Sequence, residues 1–288
     1  MGGSIEAHWE RIKPFLEILK LKGSLVDVST ILAVSAFLGR RDWRLIWAML
    51  SCILIHSGGD IYNDIYDREI DQVCKPLAPI PSGRMTVKAA WAYLALLLLL
   101  ALSISLYLSK ILFLCLVAGI LTGYVFYSHP MFRFKDMPIV SIAIIAFSFS
   151  LESIGVWSLY SGITREALIV AAYIFLLVFS LVFMKDFRDV EGDINSLPLM
   201  WGVKKAAIFS SMLCILPLMI FVFLSTIYQQ AIIWIAALTF ISLVSSCIKI
   251  LVFGDPVAQG RELKNRMILS LSMPNIVLFA LSEARSWL

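Results

Sequence analysis

Residues 58–83 read GGDIYNDIYDREIDQVCKPLAPIPSG and gather acidic side chains directly after the apolar run from Leu45 to Ile55. In a helical backbone, steps of three and four residues place side chains on one face. That face would carry Asp60, Asn63, Asp64, Asp67 and Asp71. A stripe of carboxylates beside a membrane boundary is costly, because like charges repel and burial disfavours the ionised form. The stripe therefore indicates a cation site, and oxygen ligands of this kind suit Mg²⁺.

A second acidic stretch follows the apolar run from Ala167 to Met184. It reads KDFRDVEGD, and its acids Asp186, Asp189 and Asp193 recur at steps of three and four residues. A helical backbone would again place them on one face. Two apolar helices that end in facing acidic stripes could hold two or more Mg²⁺ ions around a diphosphate.

The composition places this chain in a membrane. Hydrophobic residues make up 60% of the 288 and charged residues only 15%, whereas roughly a quarter of a soluble domain is charged. The mean hydropathy is +0.88. The net charge of +4 forms no basic stripe, so we expect no nucleic-acid partner. The five cysteines show no paired metal-ligand spacing and lie mostly in apolar runs, which argues against disulfides and zinc.

The hydropathy pattern predicts an all-α, polytopic membrane bundle of about nine transmembrane helices around a central cavity, with cytoplasmic cap segments. Residues 1–22 mix apolar and basic side chains, which is typical of an amphipathic interfacial helix rather than a cleavable signal. No long linker interrupts the chain, so we expect one domain over residues 1–288. The nine predicted spans are 24–38, 45–62, 89–108, 111–128, 138–160, 167–184, 205–226, 231–252 and 267–285.

Loop charge predicts the orientation of the bundle. With the N-terminus in the cytoplasm, Lys and Arg residues favour the cytoplasmic loops roughly threefold, as the positive-inside rule requires. Both acidic stretches then lie on the cytoplasmic side of a cell membrane.

The acidic stretches also resemble a known family. The pattern Asn63-Asp64-x-x-Asp67-x-x-x-Asp71 with Pro79-Ile-Pro-Ser-Gly-Arg84, and Asp186-x-x-Asp189-Val-Glu-Gly-Asp193, look like the two aspartate motifs of the UbiA superfamily of intramembrane prenyltransferases. We call residues 63–71 the first motif and residues 186–193 the second motif. The resemblance implies Mg²⁺ as cofactor, with Asn63, Asp64, Asp67, Asp186 and Asp189 as metal ligands.

The resemblance implies further roles around these ligands. Asp71, Asp193 and Tyr127 would be catalytic or would support the metal site, and diphosphate would be bound by Lys75, Arg84, Arg133 and Lys135. Two departures from the family pattern stand out. Ala78 replaces an arginine common just before Pro-Ile-Pro-Ser-Gly, and after Asp193 the chain reaches Leu-Pro by a shorter loop.

The implied reaction transfers a prenyl group from a polyprenyl diphosphate to a lipophilic acceptor within the membrane. The stretch Tyr-Ser-x-Pro from Tyr127, with Arg133 and Lys135 following, is closer to members that use quinol-type or polycyclic acceptors. Aromatic and glycerol-phosphate ether acceptors also fit, and the tail length stays open. Membrane lipids are expected partners, and no obligatory protein partner is evident.

Two other classes of membrane protein also use acidic side chains within or beside the membrane. CDP-alcohol phosphotransferases carry an Asp-Gly-x-x-Ala-Arg signature, which this sequence lacks. Cation transporters hold acidic sites near the bilayer midplane, whereas both motifs here lie at the ends of predicted spans.

Three further ionisable residues lie within predicted spans or at their ends. Glu152 lies inside the fifth span, where an unpaired carboxylate is costly. We therefore expect it to pair with another span or to line a lipid-substrate channel. His56 and His129 could carry protons, although a structural role is the simpler interpretation for each.

Overall fold

The computed structural model describes the backbone of residues 2–188, 190, 195–228 and 231–283, and side chains from residue 9 to residue 282 within these ranges. These residues form helices and turns, with no β-strand among them. The α-helices, numbered α1 to α13 in chain order, are Gly2–Glu17, Leu25–Leu38, Trp43–Tyr66, Arg68–Cys74, Val87–Leu108, Lys110–Ile120, Pro138–Trp157, Arg165–Leu181, Leu197–Trp201, Val203–Leu213, Ile215–Tyr228, Ala231–Phe253 and Gly260–Glu283.

Three short non-α segments interrupt this order. A π-helical turn, Leu121–Phe126, continues α6, and a 3₁₀ turn, Phe134–Asp136, precedes α7. Another 3₁₀ segment, Val182–Phe187, continues α8. These segments were not predicted from the sequence.

In the described part of the chain, six helices are long and apolar enough to cross a membrane. Leu25–Leu38 and Lys110–Phe126 are shorter apolar helices, and α13 begins with several charged residues. Each of the nine predicted spans overlaps a helix, so the all-helical prediction is confirmed. Nine crossings, a central cavity and cap segments stay predictions. The six candidates are Trp43–Tyr66, Val87–Leu108, Pro138–Trp157, Arg165–Phe187, Val203–Tyr228 and Ala231–Phe253.

Side-chain caps fix the starts of several helices. Thr86, Ser109 and Thr164 each accept a hydrogen bond from a backbone N–H in the first turn of α5, α6 and α8. Asp42 does the same for α3 by accepting from the N–H of Arg44. The hydrogen bond from the Arg44 side chain lowers the pKa of Asp42 to about 2. Such caps satisfy donors that the helix itself leaves unpaired.

Two apolar cores hold the bundle together. One is built mainly from α8 and α10 to α13, and the other mainly from α3, α5 and α6. Helices α2, α7 and α8 contribute to both, so the two cores are joined. At Gly155 of α7 an added Cβ would lie 2.8 Å from Leu112 Cδ1 and 3.2 Å from its Cα. Only glycine therefore allows α6 and α7 to pack this closely.

Candidate active site

The first motif begins in the last turn of α3 and continues into α4. The helix boundary falls at Asp67, yet the N–H groups of Asp67, Asp71 and Lys75 still donate to the carbonyls of Asn63, Asp67 and Asp71. The four-residue repeat is therefore kept across the boundary. The polar side chains of this stretch lie at the spacing that the sequence predicts.

Each aspartate of the first motif is paired with a lysine. Lys20 Nζ donates to Asp64 Oδ1 at 2.6 Å, and Lys75 Nζ donates to Asp71 Oδ1 at 3.0 Å. Lys135 binds both carboxylate oxygens of Asp67. These pairs neutralise carboxylates that would otherwise repel one another, since Asp64 and Asp71 are each only 3% exposed.

Lys20 is a site residue that the sequence analysis did not identify. It lies in the turn between α1 and α2, with a positive φ of 47°. Ser57 Oγ, on α3, donates to the carbonyl of the neighbouring Leu19 at 3.0 Å and holds this turn against the helix. Burial lowers the pKa of Lys20, but the carboxylates of Asp60 and Asp64 raise it more. The only sequence feature that could have pointed to Lys20 is its position as a basic residue near the end of the amphipathic segment 1–22.

Lys135 and Arg133 meet the first motif from the connection before α7. Lys135 Nζ donates to Asn63 Oδ1 at 2.9 Å as well as to Asp67. Arg133 Nη1 lies 3.5 Å from Asp67 Oδ1, and its Nε donates to Asp136 Oδ2 at 2.8 Å. Burial lowers the pKa of Lys135 by more than Asp67 raises it. Two of the four predicted diphosphate-binding residues, Arg133 and Lys135, thus stand beside a predicted metal ligand.

The connection from Lys75 to Thr86 contains no regular helix, as its three prolines predict. Arg84 does not join the cluster of the first motif. Its Nη1 pairs with Glu17 of α1 at 2.6 Å, and its Nη2 donates to the carbonyl of Leu77 at 2.6 Å. In this structure Arg84 therefore fastens the N-terminal helix to the connection, while its predicted role in diphosphate binding stays a prediction.

The second motif starts in the 3₁₀ segment after α8, not on a regular helical face. Asp186 is buried there, at 7% exposure. Its neighbour Lys185 donates to the Tyr127 hydroxyl at 2.9 Å, which links the second motif to the residue that follows the π-helical turn after α6. Gly260 also lies against this segment, since an added Cβ would sit 2.5 Å from Arg188 Cα. Asp189 and Asp193 lie outside the described residues.

An aromatic cluster lies beside the first motif. Tyr62 packs against Tyr66, Trp91 and Tyr124, with ring centroids 4.9, 5.8 and 5.4 Å apart. Tyr124 comes from the π-helical turn after α6 and donates to the carbonyl of Ile55. Gly59 leaves the necessary room, because an added Cβ would lie 2.9 Å from Tyr124 Cε1. Tyr62, Tyr66 and Tyr124 thus belong to one packed group of rings with Trp91.

Below the first motif, polar side chains continue into the bundle along α3. His56 Nδ1 lies 2.9 Å from Asp27 Oδ2 on α2. Glu152 of α7 is 5% exposed, and its buried Oε1 has no hydrogen-bond partner. That Glu152 pairs with another span or lines a channel therefore stays a prediction.

The donor set of the two motifs suits Mg²⁺. All five predicted ligands offer oxygen atoms, which this hard cation prefers. Asp71 also keeps one buried oxygen, Oδ2, without a hydrogen-bond partner. In the described ranges no three Asp, Glu, His or Cys side chains already form a metal-holding group. In this structure lysines are paired with the carboxylates of the first motif. The residues have the oxygen atoms that Mg²⁺ needs, and their role as metal ligands stays a prediction.

Comparisons with known proteins agree on one family. The UbiA prenyltransferase family matches residues 28–269 of this chain. A digeranylgeranylglyceryl phosphate synthase from Methanothermobacter thermautotrophicus is 28% identical over 204 residues, which cover 69% of this chain and 71% of that protein. The protein of the same name from Methanosphaera stadtmanae is 28% identical over 248 residues, covering 80% and 86%.

A solved structure shares the fold. A UbiA homolog from Archaeoglobus fulgidus, bound to DMAPP and Mg²⁺, superposes with a TM-score of 0.69 at 19% identity and covers 92% of this chain and 98% of that one. The family match spans most of the chain, and the fold agrees with it. The protein is therefore a membrane-integrated prenyltransferase of the UbiA family.

Proposed function

We propose that this enzyme transfers a prenyl group, in an Mg²⁺-dependent reaction, from a polyprenyl diphosphate to a hydroxyl of a glyceryl phosphate that already carries one prenyl chain. The observation that carries the proposal is the cluster at the end of α3. There Asn63, Asp64 and Asp67 lie within hydrogen-bond reach of Lys20 and Lys135. Such a cluster holds both the oxygen ligands for a metal and the cations for a diphosphate.

The choice of acceptor follows the similar proteins. Their name gives a product with two geranylgeranyl groups on one glyceryl phosphate. A prenyltransferase reaches such a product by adding a geranylgeranyl group to a glyceryl phosphate that carries the first. For this chain we therefore favour an alcohol acceptor over the quinol-type acceptor that the Tyr127 stretch suggests.

The residues of the site divide the work of donor binding. Asn63, Asp64, Asp67, Asp186 and Asp189 would hold Mg²⁺, which stabilises the negative charge of the departing diphosphate. With Asp67 bound to the metal, Lys135 and Arg133 would no longer have Asp67 as a partner. Both can then turn to the diphosphate oxygens, Arg133 through a planar fork of donors and Lys135 as a point charge.

The aromatic cluster suits the other end of the donor. An allylic cation formed next to the diphosphate is quickly captured by water, so the site must exclude water. The rings of Tyr62, Tyr66 and Trp91 offer apolar surface and π faces that attract a cation. Their packing beside the first motif supports an allylic cation that forms close to these faces.

The test is prenyl transfer by the purified protein in lipid nanodiscs. Geranylgeranyl diphosphate, Mg²⁺ and a panel of acceptors would be supplied, and products would be identified by mass spectrometry. We expect an ether product with geranylgeranylglyceryl phosphate, and loss of that product in Asp64→Ala and Asp186→Ala. Glu69→Ala is the matched control, because Glu69 lies within the first motif but its side chain is 84% exposed. Exclusive use of an aromatic or quinol acceptor would refute the proposed acceptor.

A further inference from the structure

One carboxylate near the site has no role in the metal or diphosphate assignments. Asp60 lies on α3 one helical turn before Asp64, and it is half-buried. Residues four apart on a helix are neighbours on one face, so Asp60 shares the face of Asp64. One further turn along the same face stands His56.

Asp60 lies between two basic groups. Its carboxylate raises the pKa of Lys20 and is the largest of the influences that do so. On its other side is His56, which Asp27 holds at 2.9 Å. Asp60 is therefore a half-buried carboxylate that has one basic side chain a helical turn before it on α3 and a second one near it.

The depth of Asp60 matches the position of the reacting atoms. A helix rises ~1.5 Å per residue, so Asp60 lies roughly 6 Å from Asp64 along α3, on the side away from the motif end. A donor whose diphosphate sits at Asp64 must direct its apolar chain into the bundle. Its first carbon, where the new bond forms, then lies at the depth of Asp60.

Resting on the proposed function, we infer that Asp60 is the proton acceptor for the alcohol. The bond between the allylic carbon and the diphosphate oxygen breaks, and its electron pair leaves with the diphosphate. A lone pair of the acceptor hydroxyl oxygen forms the new carbon–oxygen bond, which gives a protonated ether. The proton passes from that oxygen to the Asp60 carboxylate, leaving a neutral ether. No oxidant, reductant or other reactant is needed.

The proton transfer does not require an unusually basic carboxylate. A protonated ether is a much stronger acid than a carboxylic acid, so an ordinary carboxylate accepts its proton readily. Without an acceptor group, the protonated ether reverts to alcohol and allylic cation. Loss of Asp60 should therefore leave ionisation of the donor intact and stop the reaction at the trapping step.

Positional isotope exchange separates these two steps. Geranylgeranyl diphosphate labelled with ¹⁸O at the bridging oxygen scrambles its label whenever the donor ionises and recombines. For Asp60→Asn we expect ether formation to fall by roughly 10²-fold or more, the usual range for losing a general base. Scrambling of the label should persist, as should Mg²⁺-dependent binding of a non-reactive thiolodiphosphate analogue. Asp60→Glu, which keeps a carboxylate, should recover part of the transfer rate, and Glu69→Gln should match the wild type.

Each contrary result has a distinct meaning. Ether formation by Asp60→Asn within fivefold of the wild type would overturn the inference. So would loss of scrambling or of Mg²⁺-dependent analogue binding, because Asp60 would then act on the metal or the donor. Failure of the wild type to form any ether from the glyceryl phosphate acceptor would instead refute the proposed function, before the variants are compared.

Discussion

Replacement of Lys20 by methionine should tighten binding of Mg²⁺ in the absence of donor. In the structure Lys20 Nζ lies 2.6 Å from Asp64 Oδ1, the position from which a metal ion would have to displace it. Two unit charges at that distance attract by about 6 kcal/mol at an effective dielectric constant of ~20. Methionine keeps much of the length and apolar surface of the lysine but removes this competitor.

The net effect is smaller than the Coulomb figure. Breaking a fully buried pair costs about 3–5 kcal/mol, whereas an exposed pair is worth about 0–1 kcal/mol. Asp64 is buried but 39% of the Lys20 side chain is exposed, so solvent screening places the pair between these limits, at about 1.5–3 kcal/mol. Because 1.4 kcal/mol corresponds to tenfold, Lys20→Met should bind Mg²⁺ roughly 10- to 100-fold more tightly.

Titration calorimetry of Mg²⁺ into the detergent-solubilised protein at pH 8 measures this directly. Lys22→Met is the matched control, because Lys22 carries the same charge two residues away but donates to Asn265 at 2.7 Å. We expect that control to bind Mg²⁺ as the wild type does. Equal or weaker Mg²⁺ binding by Lys20→Met would refute the idea that lysine and metal compete for Asp64.

Three further predictions follow from local contacts. Gly155→Ala should lower the free energy of unfolding by about 1–3 kcal/mol, because its Cβ would overlap Leu112; Gly119→Ala, with nothing within 4 Å of the new Cβ, should not, and denaturant melts compare the two. Cys74, the exposed cysteine beside the first motif, should react with an impermeant maleimide from the cytoplasmic side, and labelling from the opposite side would contradict the orientation. The pKa of Asp42 is lowered to about 2 from its ordinary value of 3.8. The charge of Asp42 therefore stabilises the fold fully at pH values above that ordinary pKa, and this contribution is lost as the pH falls through about 2. Asp42→Asn should therefore differ from the wild type in thermal stability at neutral pH and converge with it in acid, whereas a constant difference would contradict the ion pair with Arg44.

The sequence predicted the helices because their signals are local. Apolar runs mark each predicted span, and the polar residues Thr86, Ser109 and Thr164 stand where α5, α6 and α8 begin. The π-helical turn at Leu121–Phe126 has no such signal. Within it, Tyr124 donates to the carbonyl of Ile55 in another helix, and a contact between distant residues leaves no trace in local periodicity.

The site divides in the same way. The pair of Asp71 and Lys75 is four residues apart on one helix face, so the sequence alone suggests it. Lys20 and Asp64 are 44 residues apart, and Lys135 and Asp67 are 68 apart. These pairs exist because the α1–α2 turn and the connection before α7 pack onto the end of α3. Spacing within a motif predicts which oxygens share a face, but it does not predict which cations stand opposite them.

The lysine pairs give a physical reason why metal and donor should depend on each other. Mg²⁺ sheds its water reluctantly and must also displace Lys20 from Asp64 and Lys135 from Asp67, so binding alone should be weak. A diphosphate offsets the free-energy cost of this displacement, because it offers oxygens both to the metal and to the released lysines. By linkage, Mg²⁺ must then raise the affinity for a thiolodiphosphate analogue by the same factor that the analogue raises the affinity for Mg²⁺. The lysines that compensate the charge of the carboxylates in the absence of metal would thus make the site bind metal and donor together.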